Sequence, residues 1–492
     1  MRGRGRAGRR VAALRAARVC PPREVARQRR WVPLRILAKR FWKRARAPPL
    51  RALIIRRGGA VHLLVARPPP PAGRSSPTRS MQRFLETART IFRNRSFLAL
   101  LCCNILLGLA YSFVGPFMSL FGTQEVGMSN FVFGVFMTIT SAVSIVLSTL
   151  LAHWSDTRFS RRSMLVLGAV CGTAGYVGYA FVRDVVGLTL IGSFLLGVSS
   201  ITFSQLFAHA REMLSRSEVP PAETPLYMNV FRLFFALSWT VGPAAASWVN
   251  LKFHYQGTFL VAAAVFFLFL LAVLRFVPHA PPFVRTASAK PMPLRQALMR
   301  PVVLAHFVAF VLVFMAGTIA MSNLPKLVTE TLGGDQRHVG IVYSVAPVFE
   351  LPFMFFFGLL ATKGNHGRLI RLSFALSVIY YAGLSVVGAP WHIYPLQVIS
   401  AAVVAVTSGI AITFFQNFLP DQVGTATNLY SNAMRVGGIG GYLAFGGLAQ
   451  AYGYRAVFVF CTVICAIGLA LLIRYREAGA ARVGDTAAPS AA

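Results

Sequence analysis

From residue 97 onward the chain alternates between long apolar runs and short polar breaks. A bilayer's hydrocarbon core, about 30 Å thick, is crossed by a helix of about 20 apolar residues. Runs of that size lie at 97–121, 130–152, 162–184, 187–209, 226–249 and 255–277, and again at 302–325, 338–361, 368–389, 391–415, 425–448 and 453–474. Water does not reach the hydrocarbon, so such runs must satisfy their backbone internally, as helices do. The pattern predicts an all-α membrane protein of twelve transmembrane helices. An even number of spans puts both ends of the chain on one side.

The polar positions inside these runs repeat. Ile-Thr-Phe-Ser-Gln-Leu-Phe at 201–207 returns as Ile-Thr-Phe-Phe-Gln-Asn-Phe at 412–418, and Leu-Tyr-Met-Asn-Val-Phe-Arg at 226–232 returns as Leu-Tyr-Ser-Asn-Ala-Met-Arg at 429–435. The shared polar positions are Gln205 and Gln416, Tyr227 and Tyr430, Asn229 and Asn432, and Arg232 and Arg435. Gly108 and Pro116 return as Gly317 and Pro325 at an offset of 209, and Gly134, Ala152 and Arg162 return as Gly340, Gly358 and Arg368 at 206. Solenoid repeats run at about 20–50 residues; a period near 206 is that of a duplicated half-protein. Two parallel six-helix repeats are the corresponding transporter architecture. The expected units are bundles at 81–277 and 302–475, a linker at 278–301 rich in proline, and a tail at 476–492.

Charge orients the bundle. From Met81 on, nineteen Lys and Arg near the span ends fall on one side, while Arg183, Lys252, Lys326, Arg337 and Arg455 fall on the other. The positive-inside rule then places both termini in the cytoplasm. The formal charge of +36 exaggerates this balance, because residues 1–80 hold 23 of the 50 Lys and Arg and a single acid, Glu24. Such an Arg-rich leader can bind nucleic acid or anionic lipid, or act as a transit-like presequence. The reading preferred here is a disordered or mis-assigned leader ahead of a natural start at Met81, with no nucleic-acid partner.

Glu350 is the sharpest candidate for chemistry. It lies near the middle of the eighth span, bracketed by Pro347 and Pro352. An acid at the bilayer centre is costly unless it faces water, finds a partner or holds a proton, which suits a proton-coupling group. The matching position in the first half is Ser144, so the fold does not demand the charge. Arg232 and Arg435 lie about two turns into spans five and eleven; snorkelling is the plain explanation, and a role needed by each half, such as gating, is the other. The amides Asn104, Gln205, Asn229, Asn323, Gln416 and Asn432 both donate and accept, as sugar hydroxyls require, although interhelical hydrogen bonds explain each of them about as well. Tyr227, Tyr430 and Trp239 could stack on a sugar face or anchor span ends.

The loop after span two, Leu-Ala-His-Trp-Ser-Asp-Thr-Arg-Phe-Ser-Arg-Arg at 151–162, resembles the signature loop of the major facilitator superfamily, with an echo at 358–368. Ala152 and Thr362 depart from the usual glycine and second acid, and one residue is inserted before Arg161 and Arg162. With Leu-Ser-Trp-Thr-Val-Gly-Pro at 237–243, Gln-Leu-Phe-Ala-His-Ala-Arg-Glu at 205–212 and Phe-Glu-Leu-Pro at 349–352, residues 97–475 look like the sugar efflux transporter family. That resemblance implies export of mono- or disaccharides and glycosides against proton entry, a cavity lined by spans one and seven, and a multi-pass position in the inner membrane. It also implies gating by Asp156, Arg161, Arg162, Arg368 and Arg435, with Arg435 paired to Asp156. Arg232, whose matching acid is replaced by Thr362, faces substrate or Glu350 instead.

Composition closes off other classes. Hydrophobic residues make up 55% and charged ones 13%, against a usual charged share of about 25%. The six cysteines lack metal or redox spacing. No phosphate-binding loop, GxSxG or HExxH occurs, so neither an enzyme nor a cofactor is expected. A monomer moving a sugar and protons through the bilayer is the expected system. The alternative is an exporter of drugs or amphiphiles on the same fold, separated from the first by the polarity of the pocket.

Overall fold

The computed structural model describes residues 52–57, 60–65, 95–157, 159–217, 224–278, 293–361, 366–419 and 422–475. The chain divides into two units, Met1–Arg83 and Phe84–Ala492. In the first, strands β1 (Ala52–Arg57) and β2 (Ala60–Val65) pair antiparallel. They flank Gly58-Gly59, a dipeptide that two-residue hairpins favour. The rest of residues 1–80, expected to be a disordered or mis-assigned leader, lies outside the described residues.

The second unit is helical. Its apolar helices are α1 (Ser96–Glu125), α2 (Asn130–Thr157), α3 (Arg161–Phe181), α4 (Val185–Arg216), α5 (Thr224–Phe276), α6 (Pro301–Thr331), α7 (Gln336–Ala361), α8 (His366–Val386), α9 (Pro390–Gly409) and α10 (Val423–Arg474). Two are too long for one crossing. Helix α5 has non-helical backbone at His254 and α10 at Gly453, and each divides there into two segments. Polar side chains start several of them: Ser160 accepts from the backbone N–H of Ser163, Asp184 from that of Gly187, and Asp335 from those of Arg337 and His338. Slight burial pushes the Asp335 carboxyl up, but these hydrogen bonds and the His338 imidazole outweigh it and hold it below the usual carboxylate range.

The packing repeats with the sequence. Helix α1 packs on α5 as α6 does on α10; α3 packs on α4 and α5 as α8 does on α9 and α10; α2 packs on α4 as α7 does on α9. Between the halves, α2 meets α10 and α7 meets α5, while α1 meets its own counterpart α6. This is the contact pattern of a pseudo-twofold axis along the bundle.

Glycine permits the closest of these approaches. A Cβ on Gly134 of α2 would lie 2.7 Å from the Tyr442 carbonyl oxygen and 2.8 Å from the Gly446 Cα of α10; one on Gly340 of α7 would lie 2.8 Å from the Pro243 carbonyl oxygen of α5. Gly340 is the repeat of Gly134, and Gly446 that of Pro243. Backbone meets backbone at this end of the bundle, as small residues allow in membranes.

His254 holds φ 56° and ψ −173°, a region that side chains with a Cβ occupy only at a cost of about 1–3 kcal/mol. The equivalent bend in the second half uses Gly453, with φ 75°. His254→Gly should therefore raise the thermal unfolding midpoint in detergent by relieving strain of about 1 kcal/mol or more. A lower midpoint would show that the exposed imidazole does more than occupy the bend.

Candidate functional site

Two spans break inside the bundle. Between Ser199 and Ile201 the helix of α4 is interrupted at Ser200, and after Gly409 that of α9 is interrupted at Ile410 before resuming at Ala411–Phe418. An interrupted helix leaves carbonyls to be satisfied in a medium without water. Thr202 Oγ1 of the same span donates to the Ser199 carbonyl at 2.7 Å, and other helices supply further donors. Tyr111 Oη on α1 reaches the Ser199 carbonyl at 3.4 Å and Thr202 Oγ1 at 3.2 Å. In the second half Tyr430 Oη donates to the Thr407 carbonyl at 3.0 Å, and Arg232 Nη1 donates to the Ser408 carbonyl at 3.1 Å.

Arg232 is the unusual partner, because it belongs to the first half. From α5 it reaches across to the break in α9, where its charge acts on both Tyr430 and Glu350. Glu350 is half-buried on α7, and among the described residues no hydrogen bond or ion pair reaches its carboxylate within direct contact distance. Its counterpart Ser144 is spent on Ser200 Oγ at 3.0 Å. The duplicated position thus carries a neutral structural hydroxyl in one half and, in the other, a carboxylate within electrostatic reach of Arg232.

The second repeated arginine behaves differently. Arg435 on α10 is exposed, and Nη1 donates to Thr149 Oγ1 of α2 at 3.3 Å. Asp156 lies two turns further along the same helix, but its side chain is outside the described residues. Arg161 and Arg162 bind within their own half. Arg161 pairs with Glu212 at 2.9 Å and donates to Gln205 Oε1 at 3.1 Å, while Arg162 donates to the Leu274 carbonyl at 2.7 Å. Arg216 closes this cluster on Glu212 at 2.6 Å. Arg368 is exposed at the start of α8.

Most of the candidate amides are taken up by the protein in this conformation. Asn104 is fully buried and donates to the Phe231 carbonyl; Asn323, equally buried, donates to the Tyr454 carbonyl at 2.8 Å. Gln416 donates to Thr427 Oγ1 at 3.1 Å. Asn229 is exposed and Asn432 half-buried. Tyr227 sits edge-on to Phe97, and the Tyr430 ring packs among Phe310, Phe314 and Phe415. Trp239 lies half-buried near the axis, where Gly115 of α1 approaches both its ring and Met321 of α6.

Three groups escaped the sequence reading: the helix breaks, Glu212, and the pair Lys326 and Glu330 at the far end of α6. The first and third left traces, in Ser199-Ser200 and Ser408-Gly409 within apolar runs, and in a Lys and Glu spaced four apart where α6 ends.

The sequence profile of the Major Facilitator Superfamily matches residues 53–217 and 100–442. A Deinococcus radiodurans protein provisionally named a sugar efflux transporter is 35% identical over 371 residues, covering 75% of this chain and 94% of its own length. Sugar efflux transporter A of Dickeya chrysanthemi is 31% identical over 380 residues, 77% of this chain and 95% of that protein. Among solved structures, the nucleoside transporter NupG superposes with a TM-score of 0.66 at 11% identity, over 78% of this chain and 99% of NupG; this likeness concerns the fold.

The two repeated arginines predict unequal mutants. Arg232→Met breaks a hydrogen bond from a half-buried charge, worth about 1.5–3 kcal/mol, and should lower the unfolding midpoint measurably. Arg435→Met removes an exposed contact and should stay within about 0.5 kcal/mol of the parent protein. Equal losses in a detergent melting experiment would contradict this placement.

Proposed function

The chain belongs to the major facilitator superfamily and, within it, to the sugar efflux transporters, and from that premise we propose that it exports sugars by proton antiport with alternating access. The protein is a multi-pass inner-membrane transporter and not an enzyme. In the proposed topology twelve segments cross the bilayer, and the end of the bundle bearing Arg161, Arg216, Arg300 and Arg474 faces the cytoplasm, in accord with the charge asymmetry of the loops.

The observation that carries the coupling is the arrangement of Glu350 and Arg232. A carboxylate without a direct partner faces an arginine that bridges the two halves. When Glu350 is ionised, its charge attracts Arg232 away from the Ser408 carbonyl. Once Glu350 holds a proton, Arg232 is left to the α9 break. One proton thereby alters a contact between the halves, the contact that alternating access requires to be two-state. Asn229, which is exposed, and Asn432, which is half-buried, are the amides left to meet sugar hydroxyls when that contact changes.

If Glu350 is the coupling acid, Glu350→Gln abolishes pH-driven sugar accumulation in inverted vesicles and leaves sugar exchange running. Normal accumulation by the variant would remove Glu350 from that role. The Asp156 and Arg435 pair is proposed for the cytoplasmic gate: Asp156→Arg and Arg435→Asp should each impair transport and together restore part of it. A double variant as poor as the single ones would sink the pairing.

A second reading has one observation behind it. Asn104, Asn323 and Gln205 are all bonded within the protein, while Trp239 and Met321 stand near the axis, a lining that suits amphiphiles. A vesicle panel of labelled sugars and dyes separates the two readings.

A further inference from the structure

At the end of the bundle away from the basic face, α1 and α6 both finish in a five-residue π-helical turn, Phe121–Glu125 and Leu327–Thr331. The loops that follow are copies. Val126 and Leu332 N–H donate to the carbonyls of Phe121 and Leu327, Met128 and Gly334 N–H to those of Gly122 and Val328, and Gly127 and Gly333 both hold positive φ. Wide turns of this kind occur often at functional sites.

Three pairs of equivalent residues meet here: Gln124 with Glu330, Asn130 with Gln336, and Tyr255 with Tyr454, at offsets of 206, 206 and 199. Gln124 Nε2 donates to Glu330 Oε1 at 3.2 Å, so one duplicated position faces its own copy across the axis. Each tyrosine then bridges the halves. Tyr454 Oη donates to Glu330 Oε2 in its own half and accepts from Asn130 Nδ2 of the other at 3.2 Å. Tyr255 Oη donates to Gln124 Oε1 at 3.4 Å and accepts from Gln336 Nε2 at 3.3 Å. Both tyrosines directly follow the bends at His254 and Gly453, which aim them at the ring.

The symmetry is broken in one useful way. Two glutamates on the axis would repel, and two glutamines would leave the ring without charge. A Gln opposite a Glu gives donor to acceptor. Lys326, whose counterpart is Leu120, supplies the compensating charge: Nζ lies 2.9 Å from Glu330 Oε1 and 2.6 Å from Thr123 Oγ1 of the other half, with its side chain 2% exposed. A buried lysine held between the halves is a costly element to place unless its partners are kept.

We propose that this ring is the outer gate of the transporter, and that Glu330 and Lys326 are the positioning residues that hold it shut. The proposal rests on the transporter reading above and assigns the side from which cargo leaves. It adds a polar closure to the glycine-lined approach of α2 to α10 and α5 to α7 described earlier.

Ser119 lies one turn deeper on α1, buried behind the ring. With the native cysteines replaced, a single Ser119→Cys reports gate opening in intact cells exposed to a membrane-impermeant maleimide. Glu330→Gln, Lys326→Met and, from the other half, Gln124→Ala should each speed labelling by about tenfold, the effect of losing one charge-assisted hydrogen bond. Unchanged labelling in all three, with monodisperse gel filtration showing folded protein, would overturn the gate. Labelling needs no sugar, so the two readings fail separately: faster labelling in a protein that moves no sugar would keep the gate and discard sugar as cargo.

Discussion

Inside a bilayer a polar group has no water to fall back on, and every carbonyl, amide or charge must find its partner within the protein. This constraint shapes the molecule more than any single contact. The interruptions of α4 and α9 expose carbonyls, and Tyr111, Tyr430 and Arg232 answer them. Because the donor at α9 comes from the opposite half, satisfying a backbone group also ties the two bundles together. A contact of that kind can be exchanged for another but not simply dropped, which is what a two-state machine in a membrane requires.

Duplication then gave many structural solutions twice, and the copies differ at a few polar positions. Ser144 and Glu350 occupy matching places, yet one is bonded to Ser200 and the other faces Arg232 without a direct hydrogen bond. Gln124 and Glu330 differ by an amide against a carboxylate, and Lys326 has only Leu120 as its counterpart. Arg232 reaches a carbonyl in the other half, while Arg435 rests exposed on Thr149. The packing is repeated between the halves, and the charges are not.

The two ends of the bundle are built from different materials. One has backbone pressed on backbone at Gly134 and Gly340, below a ring of amides, tyrosines and one ion pair. The other carries arginines bound largely within their own half, Arg161 to Glu212 and Arg162 to the Leu274 carbonyl.

Helix class and the repeat were both legible in the residues, because apolar run length and long-range periodicity are properties of the chain itself. So was the singular character of Glu350, since an acid amid some twenty apolar residues stands out without coordinates. Partners were not legible. A polar residue in an apolar run declares that something satisfies it, but the identity of that group depends on helix rotation and on which helix faces which. Asn104 and Asn323, offered as sugar ligands, therefore proved to bond the Phe231 and Tyr454 carbonyls in this conformation. Lys326 was counted as an ordinary loop charge and Glu330 went unread, until folding brought Thr123 and Gln124 against them across more than two hundred residues. The sequence by itself determined that the chain is built from apolar helices and that they come in two matching sets. Only the tertiary structure decided which polar group answers which, because that choice is made by the angular setting of one helix against another.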